Sequence, residues 1–210
     1  MNNINLYNED CLSAMMKMKD NQFDLGIVDP PYGIKRFGNR VELSNRICKN
    51  AKINNWDVKP SKKYFFELFR ISRKQIIFGA NNFKLPETEY FIIWDKMQTV
   101  ENFASAEYAW TNIKKPAKVF RYSIHNVMSD RKKENGKIHP TQKPVKLYEW
   151  ILINYAKKGD KILDTHLGSG SSAIASYNYG FEFDGYEIDK EYFDNAVKRV
   201  KQHSKQQRLF

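Results

Sequence analysis

The sequence predicts a doubly wound α/β domain built on a mostly parallel sheet. Three observations carry this. Strand-like and helix-like segments alternate along most of the 210 residues. Two of the strand-like runs stop in sharp turns, at Asp29-Pro30-Pro31-Tyr32 and before Gly168-Ser169-Gly170. The length suits one layered core, so residues 1–210 read as a single domain. Alternation of this kind implies parallel strands covered by helices on both faces, with the strands of 89–122 expected to supply antiparallel edges.

In chain order, Ile4–Tyr7 reads as a strand, and Leu12, Met15 and Met16 give the next segment a helical apolar face. Asp24–Val28 is a short apolar run with a proline stop, a buried strand. Residues 33–58 are basic, show neither period, and are expected to form a mobile loop. Pro60 opens a helix with Tyr64, Phe65, Leu68 and Phe69 on one face. Ile76–Phe78, Tyr90–Trp94, Glu107–Trp110 and Val119–Tyr122 follow as strands, and the polar stretch 123–138 as loop. Pro144 starts a helix carrying Leu147, Tyr148, Ile151, Leu152 and Tyr155, with Lys157, Lys158 and Gly159 as its ending. Lys161–Asp164 is a strand, Ser171–Tyr179 a helix, Phe183–Ile188 a strand and Glu191–Lys201 a helix.

A hydrophobic content of 41% and a charged content of 28% exclude a disordered chain. Apolar runs such as Phe91–Trp94 stop at about four residues, far short of the roughly 18 that a membrane span needs. The first residues reach Glu9 and Asp10 without an apolar run, so no signal peptide is expected. Cys11 and Cys48 are too few for a disulfide framework or a zinc site, which points to the cytoplasm and to no metal.

The net charge of +11 is unevenly placed. Residues 33–75 hold 12 basic and 3 acidic side chains, residues 111–146 hold 10 and 2, and residues 190–210 hold 6 and 2, while the intervening blocks are negative. Segregated positive charge suits a polyanion, since each neutralised phosphate releases a counterion. Phe37, Trp56, Phe120 and Tyr122 lie among the basic residues, where bases could stack on them.

Two turns carry chemistry. The strand Ile162-Leu163-Asp164 runs into Gly168-Ser169-Gly170 and then a helix. Such a loop admits a ligand close to the backbone and offers it the helix's unpaired N–H groups. Glu187, 23 residues after Asp164, is placed to accept the hydroxyls of a ribose. Gly168-Ser-Gly-Ser-Ser-Ala173 also fits the dinucleotide pattern, which keeps a nicotinamide cofactor and an oxidoreductase open. In Asp29-Pro30-Pro31-Tyr32, the prolines stiffen the backbone and remove donors, leaving the Asp29 carboxylate and the Pro30 carbonyl as acceptors beside the Tyr32 ring. That array matches an exocyclic amino group on a stacked base.

Asn8-Glu9-Asp10-Cys11, Asp29-Pro30-Pro31-Tyr32, His139-Pro140-Thr141-Gln142-Lys143-Pro144, Asp164-Thr-His-Leu-Gly-Ser-Gly170 and Gly185-Tyr-Glu-Ile-Asp189, in that order, resemble the beta-class amino-methyltransferases of DNA, the N6-adenine/N4-cytosine family. The resemblance implies a Rossmann-like methyltransferase sheet and S-adenosylmethionine as cofactor. Asp10 and Cys11 would contact its adenine and Glu187 its ribose. His139, Thr141, Gln142, Lys143, Asp164, His166, Gly168, Ser169, Gly170 and Ser171 would surround the rest. Asp29, Pro30, Pro31 and Tyr32 would be the catalytic turn, holding a flipped base in double-stranded DNA. Aspartate at position 29 leans the family towards adenine N6, with cytosine N4 or an RNA base as alternatives. Glutamine methylation goes with asparagine there. The resemblance also implies a restriction-modification setting. His166 stands where the family usually has phenylalanine, the one hint of a catalytically inactive DNA-binding protein. Residues 112–138 are the expected DNA-recognition segment, with Arg131, Lys132 and Lys133 its densest cluster. The short chain suggests a homodimer or partner to complete a DNA clamp.

Overall fold

The computed structural model describes residues 3–33, 58–101, 103–133 and 136–206. The expected mobile loop at 33–58, with Phe37 and Trp56, lies almost entirely outside the described residues, as does the side chain of Lys133.

Among the described residues, eight strands form one sheet: β1 (Ile4–Tyr7), β2 (Phe23–Val28), β3 (Ser72–Phe78), β4 (Phe91–Asp95), β5 (Ala106–Thr111), β6 (Lys118–Arg121), β7 (Lys161–Asp164) and β8 (Glu182–Tyr186). Their order is β1-β8-β7-β2-β3-β5-β4-β6. Five helices of the first interest for packing are α1 (Cys11–Met15), α2 (Lys62–Ile71), α4 (Val145–Tyr155), α5 (Ser171–Tyr179) and α6 (Lys190–Gln206); α3 spans Ile124–Lys133.

Alternation along β3 divides the core. Ile76 and Phe78 face a cluster with Leu147, Ile151 and Leu152 of α4, Ile174 of α5, and Ala196 and Val200 of α6. Ile77 faces the other side, with Met15 of α1 and Tyr64, Phe65, Leu68 and Ile71 of α2. The two-residue period of a strand thus feeds two separate helix layers. In α2 the buried residues recur at helical spacing behind Ser61, whose side chain accepts the Tyr64 N–H and caps the helix.

The doubly wound α/β expectation stands, with corrections of detail. Among the described strands only β5 is antiparallel to both its neighbours, and it lies inside the sheet between β3 and β4; the edge strand β6 pairs parallel with β4. Residues 124–133 are helical rather than loop, although their mostly polar face buries little beyond Val127. α4 ends at Tyr155, before Lys157 and Lys158. β8 ends at Tyr186, which places Glu187 in the turn after the strand. No helix among the described residues is long and apolar enough to cross a membrane.

Candidate active site

β2 and β7 are parallel neighbours, with Gly26 opposite Leu163. From β2 the chain continues to β3 on one side, and from β7 to β8 on the other. Diverging connections leave a crevice beyond the carboxyl ends of the two strands, the usual ligand position in a doubly wound sheet. The proline turn after β2 and the glycine loop after β7 open into it together. A cavity of about 210 Å³ lies there, lined by Asp29 to Tyr32, by His166 to Ser169 and Ser171, by His139 and Thr141 to Lys143, and by Glu187. Tyr148, Ile188 and Tyr192 complete the lining; these three and Leu167 were not selected for the site by sequence reasoning.

Asp29 is held from two sides. The Tyr32 hydroxyl donates to its Oδ1 at 2.6 Å, and the Lys143 ammonium pairs with Oδ2. Lys143 is buried, stands 4.9 Å from the centre of the Phe78 ring, and also pairs with Glu107 at 3.2 Å. Glu107 in turn meets Lys96 at 2.7 Å. Burial works against charge on Lys143, but Asp29 and Glu107 outweigh it and raise its pKa well above the usual lysine value. For Glu107 burial is again opposed, by Lys143 and Lys96, and the carboxyl is held down at about 2. Burial, with Asp29 adding to it, raises the Tyr32 phenol, which stays protonated as a donor.

Tyr32 owes its place to Gly79. This glycine follows β3 with φ +63°, and a Cβ there would fall within the Tyr32 ring. The left-handed backbone and the missing side chain both require glycine. The Tyr32 ring meets Phe83 edge-on, 6.2 Å away.

The glycine loop is fixed by its neighbours. Gly170, at φ +75°, caps α5 and turns the chain from loop to helix. Glu187 accepts the Gly168 N–H at 2.9 Å on one oxygen and the Asp189 N–H at 3.0 Å on the other. Asp164 is buried beneath the loop, accepting from Ser172 Oγ at 2.6 Å and from the His166 N–H at 3.0 Å; burial raises its pKa to about 7. Ser171 Oγ donates to the Lys143 carbonyl at 2.7 Å, joining this loop to the His139–Pro144 segment. Arg199 of α6, buried under the loop, donates to the Ser169 carbonyl at 2.8 Å.

Not every expected residue lines the cavity. Asp164 and Gly170 sit behind the loop that does. Asp10 caps α1 by accepting from the Ser13 N–H and Oγ. Cys11 is half-buried, and burial with the nearby Asp10 pushes its thiol up to about 12. His166 packs edge-on to Tyr64, 5.4 Å away, and its Nδ1 pairs with Thr165 Oγ1 at 2.9 Å. Burial lowers its pKa to about 4 and that of His139 to about 3, so both rings are neutral near pH 7. Among the described residues, no three His, Cys, Asp or Glu side chains are grouped to hold a metal ion. Arg131, expected at a DNA surface, is half-buried and donates to the Gln142 carbonyl, while Lys132 is exposed.

The family model described as DNA methylase, N6/N4 Mtase, matches residues 23–198, a span that includes both turns. The chain belongs to this DNA methylase family. The methylase is also 27% identical to the type II methyltransferase M2.DpnII of Streptococcus pneumoniae, over 95% of this chain and 90% of that protein. With M2.MboI of Moraxella bovis the identity is 24%, over 94% and 87%. Among solved structures, the complex of M1.HpyAVI with S-adenosylmethionine superimposes on the methylase with a TM-score of 0.60, at 22% identity, over 93% of this chain and 99% of that one. That likeness is one of fold.

Proposed function

We propose that this DNA methylase transfers a methyl group from S-adenosylmethionine to the N6 amino group of adenine in double-stranded DNA. The observation that carries the reading is the shared cavity: an amino-group acceptor, Asp29, and a loop of backbone donors with a carboxylate, Glu187, open into one space. The lining suits the cofactor. Glu187 can accept ribose hydroxyls with the lone pairs its two backbone bonds leave, Ile188 offers an apolar wall, and Gly168 allows close backbone approach. Held by Glu187, Ile188 and the Gly168 loop, the cofactor would supply an electrophilic methyl group to the amino nitrogen, the C–S electron pair staying with its sulfur and the amino proton passing to water.

The chain's own residues orient and polarise. Asp29 and the Pro30 carbonyl accept the amino hydrogens, which concentrates the nitrogen lone pair towards the methyl carbon. The Tyr32 ring stacks on the base and offsets part of the lost duplex stacking. Fixed acceptors facing a nitrogen that becomes positive stabilise the transition state without a covalent nucleophile. His139, Thr141, Gln142 and the loop from Asp164 to Ser171 shape the cofactor half, with Asp10 and Cys11 at its outer edge. The basic segments, 33–58 and 112–138, supply phosphate contacts, which position the duplex without reading its sequence.

Sequencing of modified bases in DNA from cells expressing the chain tests this reading. N6-methyladenine at a recurring sequence is the expected result. N4-methylcytosine in its place would move the assignment to the other base of the family, and unmodified DNA would overturn it.

A further inference from the structure

Asp29, Lys143, Glu107 and Lys96 form a line of alternating charge that runs from the catalytic turn to the β4–β5 hairpin. They come from four separate places: the end of β2, the segment before α4, the second residue of β5, and the residue after β4. Each neighbouring pair is in contact, and the two central groups are shielded, with side-chain exposures of 4% for Lys143 and 23% for Glu107. An exposed surface pair would contribute little, but charges in this setting are screened far less by solvent.

The arrangement has a consequence at Asp29. The amino nitrogen gains positive charge as the methyl arrives, so a net negative field at the acceptor favours the transition state. Asp29 paired with Lys143 alone is a neutral unit and offers little such field. Glu107 returns the group to a net charge of −1, and it shares the Lys143 ammonium with the Asp29 carboxylate. Lys96 neutralises the line at its far end, three contacts away from Asp29, where its effect on the nitrogen is weakest.

We propose that Glu107 is a positioning residue for methyl transfer: through Lys143 it sets the orientation and the effective negative charge of Asp29, with Lys96 as its counter-ion. The proposal rests on the reading of Asp29 as the amino-group acceptor.

Three variants separate charge from packing, each measured for kcat on duplex DNA, for cofactor affinity by calorimetry, and for melting temperature. Glu107→Gln keeps the shape and removes the charge, and its kcat falls by about thirtyfold with cofactor affinity unchanged. Glu107→Asp keeps the charge and loses a methylene, and stays the more active of the two. Adding Lys96→Met to Glu107→Gln removes the excess positive charge and recovers part of kcat, leaving it about fivefold below the wild type. A packing role gives the opposite order, with Glu107→Asp worse than Glu107→Gln, and no gain from the second substitution; either result overturns the proposal. Should Glu107→Gln fail to fold, the charge-balanced double variant carries the test, and wild-type kcat in it is contradictory. If the wild type itself methylates no DNA, the reading of the site fails, an outcome distinct from a wrong order among the variants.

Discussion

The Tyr32 hydroxyl donates a 2.6 Å hydrogen bond to Oδ1 of Asp29, three residues before it. With Lys143, from the distant segment before α4, on Oδ2, both carboxylate oxygens are engaged. On the function proposed above, a target amino group exchanges with the Tyr32 hydroxyl as it reaches Asp29, while the ring remains to stack on the base.

Substitutions at Tyr32 separate the hydroxyl from the ring. Tyr32→Phe frees Oδ1 and keeps the ring, so methyl transfer stays within about fivefold of wild type, whereas Tyr32→Ala loses a stacking contribution of about 1–3 kcal/mol and falls tenfold or more. Steady-state kinetics on one duplex substrate distinguish the two; equal losses in both variants would show that the hydroxyl, rather than the ring, is what matters.

Gly79 sets the position of that ring. Gly79→Ala places a methyl group inside it and forces an L-residue into φ +63°. A destabilisation of roughly 1–3 kcal/mol is expected from the backbone and the displaced side chain together. Denaturant unfolding reads the stability, and kinetics on DNA should fall with cofactor affinity little changed, because Gly79 lies on the Asp29 side of the cavity.

Glu187 has two duties, since its carboxylate accepts from the Gly168 and Asp189 backbones as well as facing the cavity. Glu187→Ala removes both and should weaken cofactor binding tenfold or more, about 1.4 kcal/mol per decade. Glu187→Gln retains one acceptor oxygen and should lose less. Calorimetry with S-adenosylmethionine decides; unchanged affinity in Glu187→Ala removes the ribose role.

Acid should destabilise the fold through its neutral histidines. The unfolded chain takes up protons on histidine near pH 6.5, while the folded chain resists until about 4 at His166 and about 3 at His139, because burial disfavours the charged rings. The unfolded state binds more protons in that window, so stability falls as pH drops below 6.5, by on the order of 1–2 kcal/mol for each group at pH 5. Asp164 works in the opposite sense: raised to about 7 by burial, it favours the folded state as pH falls. His166→Phe leaves one histidine against one aspartate, so its melting temperature should vary less between pH 6.5 and 5 than that of the wild type. An equal fall in both would exclude His166 as a source of acid sensitivity.

The parts legible in the sequence are those that the local chain encodes. Pro30 and Pro31 fix a backbone path regardless of context, and the glycines at 168 and 170 mark a loop that only certain φ values can build. Both turns could therefore be placed at strand ends, and the parallel sheet brings those ends together. Glu107, Lys96 and Gly79 were not legible, because their meaning lies in partners distant along the chain; Lys143 and Asp29 are 114 positions apart. An acidic residue in an alternating strand looks the same whether it faces water or a buried lysine. The helix at 124–133 was missed for a related reason: a mostly polar segment gives little periodicity, and its tie to the site, Arg131 on the Gln142 carbonyl, is a tertiary contact. Arg131 also shows that a basic cluster in sequence need not be one surface.

The central claim is that Asp29 holds the base while a separate part of the same cavity holds the cofactor. One preparation of Asp29→Ala, measured for S-adenosylmethionine affinity by calorimetry and for methyl transfer to duplex DNA, tests it most directly. The account predicts cofactor affinity near that of the wild type and transfer reduced by about a thousandfold or more. Transfer that persists in this variant would contradict it.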